Sequence, residues 1–324
     1  MILGLIEHDG QAVAEPSLEM LTLARRLARA EDAPLHAVVI GGAGRSVVEH
    51  LGAHGVAAVH LVVHERLTEY APAAWAQSVV EVMTLAGARA VLAAGTDRGH
   101  EVLAHVGAKQ RLPMAANCVA VEPGEPCRVT RLRWGSALLE EAWLRGSPRL
   151  LTVAPHTVPA EPGPASAAPV VHEVTPVLGE PDLRVRVVER GRAEGRGASL
   201  AGARVVVGGG RGVGSAEGFR TLEALADVLG GAVGCSRAVT SLGWRPHRDQ
   251  VGQTGTRIVP ELYVACGISG AIQHMVGCRA AKHILAVNTD PEAPIVAAAH
   301  SAVIGDLHQV IPAVVEEIRR RRGT

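Results

Sequence analysis

The sequence predicts an α/β protein of two domains, each a mostly parallel sheet flanked by helices. Short, continuously apolar runs alternate with segments whose apolar residues recur at helical spacing. This pattern is typical of parallel strands that are covered by helices on both faces. The alternation breaks off at a Pro-rich stretch and restarts at Ala203. A length of 324 residues also favours two domains over one.

In the N-terminal half, four apolar runs predict buried strands at 2–6, 36–40, 58–63 and 90–94. Apolar residues recur at helical spacing between Leu18 and Ala28, which predicts a first helix. A short helix is expected around 47–51, and a longer one at 73–86. These elements form the alternating part of the first domain.

The middle of the chain is predicted to be a connector. Residues 155–181 are rich in proline, which removes backbone donors, so we expect a connector or an edge excursion there and not a core element. A polar, Gly/Arg-rich stretch follows at 189–199. We therefore predict a first domain at 1–190, a linker at 191–199 and a second domain at 200–324. The alternative is a long surface loop within a single domain.

The second half repeats the alternation. Strands are expected at 204–207, 232–234, 262–266 and 284–287, and helices at 219–229, from about Gly270, and at about 307–321. A long polar loop, 236–257, separates two of these strands. Because long loops inside compact domains are usually functional, this loop is the first place to search for a site.

Composition narrows the possible functions. The 32 basic residues balance the 32 acidic ones, so no overall positive field favours nucleic acid as a partner. The longest apolar runs are of strand length, which predicts no membrane span. The five cysteines are scattered, which disfavours a disulfide framework or a zinc site and suits a reducing cytoplasm. The first residues resemble neither a signal nor a transit peptide, so we expect a bacterial-type cytoplasmic protein.

The Gly-rich turn 208–214 has two interpretations when it is taken alone. Its glycines do not fall in the G-x-G-x-x-G register, and no Gly-Lys-Ser/Thr follows. The turn therefore indicates either a nearby phosphate or nucleotide, or simply a tight connection between a strand and a helix. In the N-terminal half, residues 95–100 also follow a strand and are a second candidate for anion binding.

Four polar loops follow predicted strands of the second domain. Ligands in open α/β sheets bind at the carboxyl ends of the strands, so these loops are expected to meet on one rim. Ser269 is predicted to be the N-cap of the helix that carries Gln273 and His274. The other polar candidates on this rim are Ser236, Arg237, Gln253, Thr254 and Asn288.

Together, these loops resemble a known family. The segments GGGRGVGS, GCSRAV, QVGQTG, PELYVACGISGAIQHMVG and AVNTDPEAPI are similar, in order and spacing, to the FAD-binding domain of the electron transfer flavoprotein alpha subunit. The close resemblance covers roughly 200–324, and the first domain is similar mainly in its α/β pattern. The resemblance implies a Rossmann-like FAD-binding fold in the second domain.

The resemblance also implies roles for individual residues. Arg211 would lie near the FAD diphosphate or flavin, Ser236 and Arg237 beside the isoalloxazine, and Thr254 near flavin N5. His274 would lie at the pyrimidine edge of the flavin, and Asn288 and Asp306 at the adenosine end. The cofactor-binding positions that the resemblance implies are Arg211, Ser236, Arg237, Gln250, Val251, Gly252, Gln253, Thr254, Gly267, Ser269, Gly270, Ala271, Gln273, His274, Asn288 and Asp306. No catalytic acid, base, nucleophile or metal is implied.

Members of this family pair with a beta subunit, and the resemblance implies that the first domain packs on it. The chain is then expected to carry electrons from flavin dehydrogenases of the acyl-CoA type, as in fatty acid beta-oxidation, to a quinone reductase. AMP or a second FAD is possible in the partner subunit. One alternative is an electron-bifurcating relative that uses NADH. The others are a nicotinamide-dinucleotide-binding module, which the glycine register disfavours, and a colourless nucleotide-sensing scaffold.

Overall fold

A computed structural model describes residues 1–134, 136, 138–163, 168–189, 200 and 202–322. The chain divides into two compact units, Met1–Arg192 (unit 1) and Ala193–Thr324 (unit 2). The predicted linker at 191–199 lies outside the described residues, so its position stays a prediction. Both units are α/β, with mostly parallel sheets flanked by helices, which confirms the predicted fold class.

Unit 1 is built on one sheet with helices packed on it. Its strands are β1 (Ile2–Ile6), β2 (Leu35–Ile40), β3 (Ala58–Val62), β4 (Ala90–Ala94), β5 (Met114–Glu122), β6 (Cys127–Arg133), β7 (Leu138–Leu144), β8 (Arg149–Val153) and β9 (Val170–Val174). Its α-helices are α1 (Glu15–Ala30), α2 (Val48–Leu51), α3 (Pro72–Leu85) and α4 (Asp97–Gln110). Short 3₁₀ helices lie at Gly42–Val47, Gly52–His54 and Glu180–Leu183.

The strand order in unit 1 is β7-β6-β5-β8-β4-β1-β2-β3-β9. The pairs β5–β6 and β6–β7 are antiparallel, and the remaining pairs are parallel. The continuously apolar strands lie in the parallel part, where both faces are buried. Sequence reasoning did not find the antiparallel extension, because its strands β6 and β7 interrupt their apolar residues with Arg and Glu and form no continuous apolar run.

Within the Pro-rich segment 155–181, of which 164–167 are not described, β9 pairs with β3 at an edge of the sheet. The first part of this segment is held against α1, where Glu161 N–H donates to Thr22 Oγ1 at 3.0 Å. The Arg25 guanidinium donates to the Glu161 carbonyl oxygen at 3.1 Å. Side-chain groups of α1 therefore satisfy backbone groups that a segment outside any sheet would otherwise leave unpaired.

Unit 2 has a smaller sheet. Its strands are β10 (Val205–Gly209), β11 (Ala232–Cys235), β12 (Leu262–Cys266), β13 (His283–Asn288) and β14 (Ser301–Ile304). Its α-helices are α5 (Phe219–Leu229), α6 (Arg237–Ser241), α7 (Ile272–Cys278), α8 (Pro294–Ala298) and α9 (Leu307–Arg322). Two further 3₁₀ turns occupy Arg211–Val213 and His247–Asp249. Apolar clusters cover both faces of this sheet.

The strand order in unit 2 is β11-β10-β12-β13-β14, and every pair is parallel. Counted within the unit, this is the 2-1-3-4-5 order of a doubly wound sheet. The order reverses between β10 and β12, so the loops that follow these two strands flank the switch point, where such sheets bind ligands. The fold thereby places the Gly-rich turn and the segment after Cys266 at the expected binding position.

Two local predictions for unit 2 were wrong, and two elements were missed. The loop 236–257 is not continuous, because it contains α6 and a 3₁₀ turn. Helix α7 begins at Ile272 with Ala271 as its N-cap residue, so Ser269 is not the N-cap. Gly270 has a φ of 84°, which lies outside the helical region, so the helix cannot begin at Ser269. Strand β14 and helix α8 were not predicted.

Candidate functional site

The carboxyl ends of four neighbouring strands in unit 2 lead directly into polar loops. Gly210 follows β10, Ser236 follows β11, Gly267 follows β12, and Thr289 follows β13. Because all these strands are parallel, their carboxyl ends lie on the same edge of the sheet. Two cavities lie along this edge.

The first cavity has a volume of about 380 Å³. It lies between the start of α6, the 250–254 loop and the start of α7. Its lining residues are Ser236, Arg237, Ala238, Ser241, Gln250, Val251, Gly252, Gln253, Thr254, Ile268, Ser269, Ala271, Gln273 and His274.

The second cavity has a volume of about 440 Å³ and lies at the switch point of the sheet. Its lining residues are Gly210, Arg211, Gly212, Ser236, Ala238, Gly267, Ile268, Ser269, Asn288, Asp290, Ala293 and Pro294. Four residues line both cavities: Ser236, Ala238, Ile268 and Ser269. The two cavities are therefore neighbouring parts of one groove, and each falls within the usual size range of small-molecule sites.

Nearly all of the residues predicted for the site line this groove. The exceptions are Gly270, which is buried, and Asp306, which lies outside both lining sets. The structure also adds residues that sequence reasoning missed, notably Ala238 and Ser241 on α6 and Ala293 and Pro294 at the start of α8. Alanine and proline side chains offer no polar group, so residue type could not have indicated them. Asp290 could have been predicted from the sequence, because it belongs to the same polar segment as Asn288.

The glycines of the 208–214 turn are needed for close packing inside the unit. A Cβ at Gly210 would overlap the Gly267 carbonyl oxygen, and one at Gly208 would overlap the Tyr263 hydroxyl. Gly212 N–H donates to the Gly267 carbonyl at 3.0 Å, so the two loops at the switch point also bond to each other. This packing explains Gly208, Gly210 and Gly212, whereas Gly214 is explained by its φ of 85°.

Two guanidinium groups line the groove without an ion pair in the described part of the chain. Arg211 lines the second cavity and Arg237 the first, and both residues are exposed. Arg237 is the first residue of α6, directly after Ser236. Among the described lining residues, Asp290 is the only carboxylate. The balance of charge in the groove therefore favours an anionic ligand.

A buried amide orients the Thr254 hydroxyl. Gln250, with an exposure of 2%, accepts a hydrogen bond at Oε1 from the Thr240 hydroxyl at 2.7 Å. Its Nε2 donates to Thr254 Oγ1 at 3.0 Å. Since that bond occupies a lone pair of Oγ1, the Thr254 hydroxyl keeps its own proton for a donor bond elsewhere. Thr254 lines the first cavity, so this donor is available there.

The 250–254 loop is fixed to the start of α7. Gln253 N–H donates to the Gln273 carbonyl at 2.7 Å, and Gly252 has a φ of 146°. A Cβ on Gly252 would come within 2.9 Å of the same carbonyl oxygen. These contacts bring the side chains of Gln253 and Gln273 to the same cavity.

His274 is a second buried polar side chain of the first cavity, besides Gln250. Its Nε2 lies 2.8 Å from the Tyr263 hydroxyl, and its Nδ1 has no hydrogen-bond partner. Burial lowers the pKa of His274 to about 4, against a smaller opposite effect of the Val251 carbonyl. The imidazole is therefore neutral at pH 7.

Asn288 and Asp306 have structural partners. Asn288 Nδ2 donates to the Ile268 carbonyl at 2.8 Å, which holds the loop between the two cavities. Asp306 Oδ1 accepts from His308 N–H at 2.9 Å, as an N-cap residue of α9 does. For Asp306, helix capping is the role that the contacts indicate.

Trp244 in unit 2 and the candidate segment 95–100 in unit 1 do not contribute to the groove. Trp244 packs against the apolar cluster under α5 and α9 and lines neither cavity. In unit 1, Thr96 caps α4 by accepting from Gly99 N–H at 3.0 Å, and its hydroxyl bonds to the Glu7 carboxylate. An acidic side chain therefore already occupies the predicted anion position at 95–100.

The described residues contain no cluster of His, Cys, Asp and Glu side chains suited to holding a metal ion. Within the same residues, no helix combines the length and apolar character needed to cross a membrane.

Comparison with known proteins gives matches over both units. Residues 2–177 match the family model described as the electron transfer flavoprotein domain. Residues 199–279 match the electron transfer flavoprotein FAD-binding domain.

Curated relatives match over almost their full length. An electron transfer flavoprotein subunit alpha from Mycobacterium leprae is 36% identical over 98% of both chains. The protein of the same name from Mycobacterium tuberculosis is 37% identical over 99% of both chains. Protein FixB from Azotobacter vinelandii is 32% identical over 98% of this chain and 91% of its own.

Proposed function

The chain belongs to the electron transfer flavoprotein alpha subunit family, and from this premise we propose that it binds one FAD in unit 2 and carries electrons within a heterodimer. The observation that supports this most directly is the groove at the carboxyl edge of the unit 2 sheet. That groove joins two cavities, the buried imidazole of His274, and two cations, Arg211 and Arg237, that have no ion pair among the described residues.

The residues present fit FAD. A dinucleotide needs an extended groove, and the two cavities meet along the segment that contains Ile268 and Ser269. Its diphosphate needs a cation, which Arg211 can supply. The flavin ring has carbonyl oxygens and ring nitrogens that need donors. Donors lining the first cavity are Ser236, Gln253, Thr254 and Gln273, and the neutral imidazole of His274 lines the same cavity.

We assign the isoalloxazine to the first cavity and the diphosphate to the second. Arg237, Thr254 and His274 would then contact the flavin, as the sequence resemblance implies, while Arg211 and the backbone from Gly267 onward would hold the phosphates. Asn288 would act at the adenosine side through the loop that it supports. Bound FAD supplies the electron chemistry, since it can take up and release electrons singly or in pairs.

The contribution of the chain is electrostatic. Arg237 places a permanent positive charge beside the position where reduction adds negative charge, and such an interaction strengthens where the groove excludes water. Thr254 offers a hydroxyl proton whose direction Gln250 sets. The neutral His274 lines the cavity without adding a second cation. These groups raise the affinity for the reduced cofactor above that for the oxidised one, and therefore raise its potential.

We also propose that unit 1 binds the beta subunit. The antiparallel extension of its sheet exposes large apolar side chains, including Leu139 at 68% and Trp143 at 63%. These two side chains point to the same face of β7, because they are four residues apart on one strand. Exposed apolar patches of this kind commonly mark protein interfaces.

The electron donors that we propose are flavin dehydrogenases of the acyl-CoA type, with a quinone reductase as acceptor. The partner subunit would hold AMP, or a second FAD if the pair is bifurcating. The compartment that we propose is the cytoplasm.

A reduction assay tests this function. The chain, purified together with its beta subunit and loaded with FAD, is mixed anaerobically with an acyl-CoA dehydrogenase and its substrate, and flavin absorbance is followed. We expect bleaching that depends on the dehydrogenase and reverses when a quinone acceptor is added. Rapid bleaching by NADH alone would favour the bifurcating alternative, and no bleaching by either donor would contradict the proposed electron carrier.

A further inference from the structure

The side-chain amide of Gln250 lies between two hydroxyl groups. Its Oε1 is 2.7 Å from Thr240 Oγ1, and its Nε2 is 3.0 Å from Thr254 Oγ1. Gln250 is 2% exposed and Thr240 is half-buried, whereas Thr254 is exposed and lines the first cavity. The amide therefore connects a hydroxyl that lines neither cavity with a hydroxyl at the wall of the first.

In the orientation that the structure shows, Thr254 is a donor toward the cavity. Thr240 donates to Gln250 Oε1, and Gln250 Nε2 donates to Thr254 Oγ1. The Thr254 proton is then used by neither neighbour. This orientation therefore suits a ligand atom that carries a lone pair.

A second acceptor near the Thr240 hydroxyl makes the opposite orientation of the amide equally complete. Thr240 Oγ1 lies 3.0 Å from the Arg237 carbonyl oxygen, three residues earlier in the chain. If the amide turns over, Thr240 donates to that carbonyl and accepts from Gln250 Nε2. Gln250 Oε1 then accepts the Thr254 proton, so Thr254 offers only a lone pair to the cavity. This orientation suits a ligand atom that carries a hydrogen.

The reversal needs no change in packing. The oxygen and nitrogen of a glutamine amide are nearly equal in size, and rotation about χ3 exchanges them while the rest of the side chain stays in place. Both amide atoms of Gln250 have a hydrogen-bond partner in either orientation, so neither orientation carries the cost of an unsatisfied buried group. The ligand therefore decides which orientation has the lower free energy.

The flavin that we assign to this cavity contains an atom that needs both orientations. N5 of the isoalloxazine has a free lone pair in oxidised FAD, and uptake of two electrons and one proton places a hydrogen on it. A donor at Thr254 matches the oxidised form, and an acceptor at Thr254 matches the reduced form.

We propose that the Gln250 amide is a two-position switch that turns Thr254 from a donor into an acceptor when the bound flavin is fully reduced. Thr240 is the positioning residue that completes the second orientation. The identity of the ligand rests on the proposed function, whereas the two complete hydrogen-bond networks rest on the protein alone.

NMR of the complex with the beta subunit tests the switch. The chain carries labelled glutamine amides and threonine methyl groups, and the Gln250 NH₂ signals are assigned by through-bond correlation to the Gln250 backbone. With oxidised FAD we expect nuclear Overhauser contacts from this NH₂ group to the Thr254 methyl. After anaerobic reduction by dithionite we expect them to the Thr240 methyl. The same contacts in both states would overturn the proposal.

A variant of similar shape tests the role of Thr240. In Thr240→Val we expect Gln250 Nε2 to stay near Thr254 after reduction. Thr254 then meets the N5 hydrogen with a second donor, which weakens binding of the reduced flavin and lowers the midpoint potential. Thr240→Ser should restore the reversal and the potential. Thr84→Val, which removes a helix hydroxyl bonded to the Val80 carbonyl in unit 1, is the matched control and should change neither. Wild-type behaviour of Thr240→Val in both readouts would overturn the proposal.

A failure of the proposed function gives a different result. If the complex binds no FAD, the proposed function fails, and the spectrum of the ligand-free protein decides the inference. Water both donates and accepts, so it favours neither orientation of Gln250. Contacts from the NH₂ group to the methyls of both Thr240 and Thr254 would then support the switch, and contacts to one methyl alone would overturn it.

Discussion

The two units use similar parallel sheets, but the carboxyl edges of these sheets differ. In unit 1, polar side chains at this edge bond to one another: Glu7 to Thr96, and His100 to both Asn117 and Thr152, each at 3.1 Å. In unit 2, the corresponding loops leave a groove with two guanidinium groups that have no ion pair in the part of the chain that the structure describes. The carboxyl edge of a parallel sheet therefore becomes a ligand-binding site only where the polar side chains of its loops do not bond to one another.

A buried histidine in each unit shows the same difference between the units at a single residue. Burial lowers the pKa of His60 and of His274 to about 4, and each ring has an Nδ1 without a partner. His60 lies among other imidazoles, with His36 Nδ1 at 3.2 Å from its Nε2 and His172 stacked on its ring. His274 has a phenol behind it and a cavity beside it. Only the second environment indicates a ligand.

The largest expected effect comes from filling the contact between the two loops at the switch point. In Gly210→Ala, the new Cβ would overlap the Gly267 carbonyl oxygen, which should cost unit 2 about 3 kcal/mol of unfolding free energy. The matched control in unit 1 is Gly42→Ala, whose Cβ would meet nothing within 4 Å and should change stability by less than about 0.5 kcal/mol. Urea unfolding of both variants measures this. Equal stability of the two variants would contradict the packing role.

Acid should weaken unit 1 through His60. Because burial, then His36 and His172, lowers the folded-state pKa of His60 to about 4, the unfolded chain takes up the proton first as pH falls below about 6.5. The contribution of neutral His60 to the free energy of unfolding is therefore fully present above pH 6.5. It declines as the pH falls toward 4, and roughly 2 kcal/mol of it is lost at pH 5. His60→Leu should flatten this decline. Hydrogen exchange of the β3 amides at pH 7 and pH 5 measures this loss of stability. The same loss in the His60→Leu variant would show that groups other than His60 cause it.

Removing the cation of the first cavity should weaken FAD binding without unfolding unit 2. Arg237 is exposed and unpaired in the described residues, so Arg237→Ala should raise the dissociation constant of FAD roughly tenfold, or about 1.4 kcal/mol. Arg204→Ala is the control, because Arg204 pairs with Glu261 outside both cavities. Flavin fluorescence titration compares the two. Equal affinities would remove Arg237 from the site.

The smallest expected effect separates helix capping from cofactor contact at Asp306. Asp306→Ala should lower unfolding free energy by about 1 kcal/mol, because α9 loses its N-cap bond. Asp306→Asn should restore it, since asparagine caps equally well. Both variants should bind FAD like the wild type. Weaker FAD binding by the asparagine variant would favour the adenosine contact that the sequence resemblance implies.

Much of the fold could be predicted because buried strands have short, continuously apolar runs. The run at Ile2–Ile6 predicted β1 to the residue. Strand β14 gave no such signal, because all of its residues are exposed at the sheet edge. Strands β6 and β7 were missed for a related reason, since one face of each is solvated.

The site was predictable where residue type reveals chemistry. Polar loops after parallel strands indicated Ser236, Arg237 and His274. Tyr263 was hidden, because a tyrosine inside an apolar strand looks like core until its hydroxyl is seen against His274. The cap at Asp306 was also hidden, because its function depends on where α9 begins.

The central claim is that the carboxyl edge of the unit 2 sheet holds FAD. The most direct test is the flavin-to-protein ratio, from visible absorbance, of the complex with the beta subunit after free FAD is removed. In the Gly210→Ala variant the floor of the groove is disrupted. For each copy of this chain, the wild-type complex should therefore carry one more flavin than the complex with the variant. A wild-type complex that stays colourless after FAD is added, or equal ratios in the two complexes, would contradict the claim.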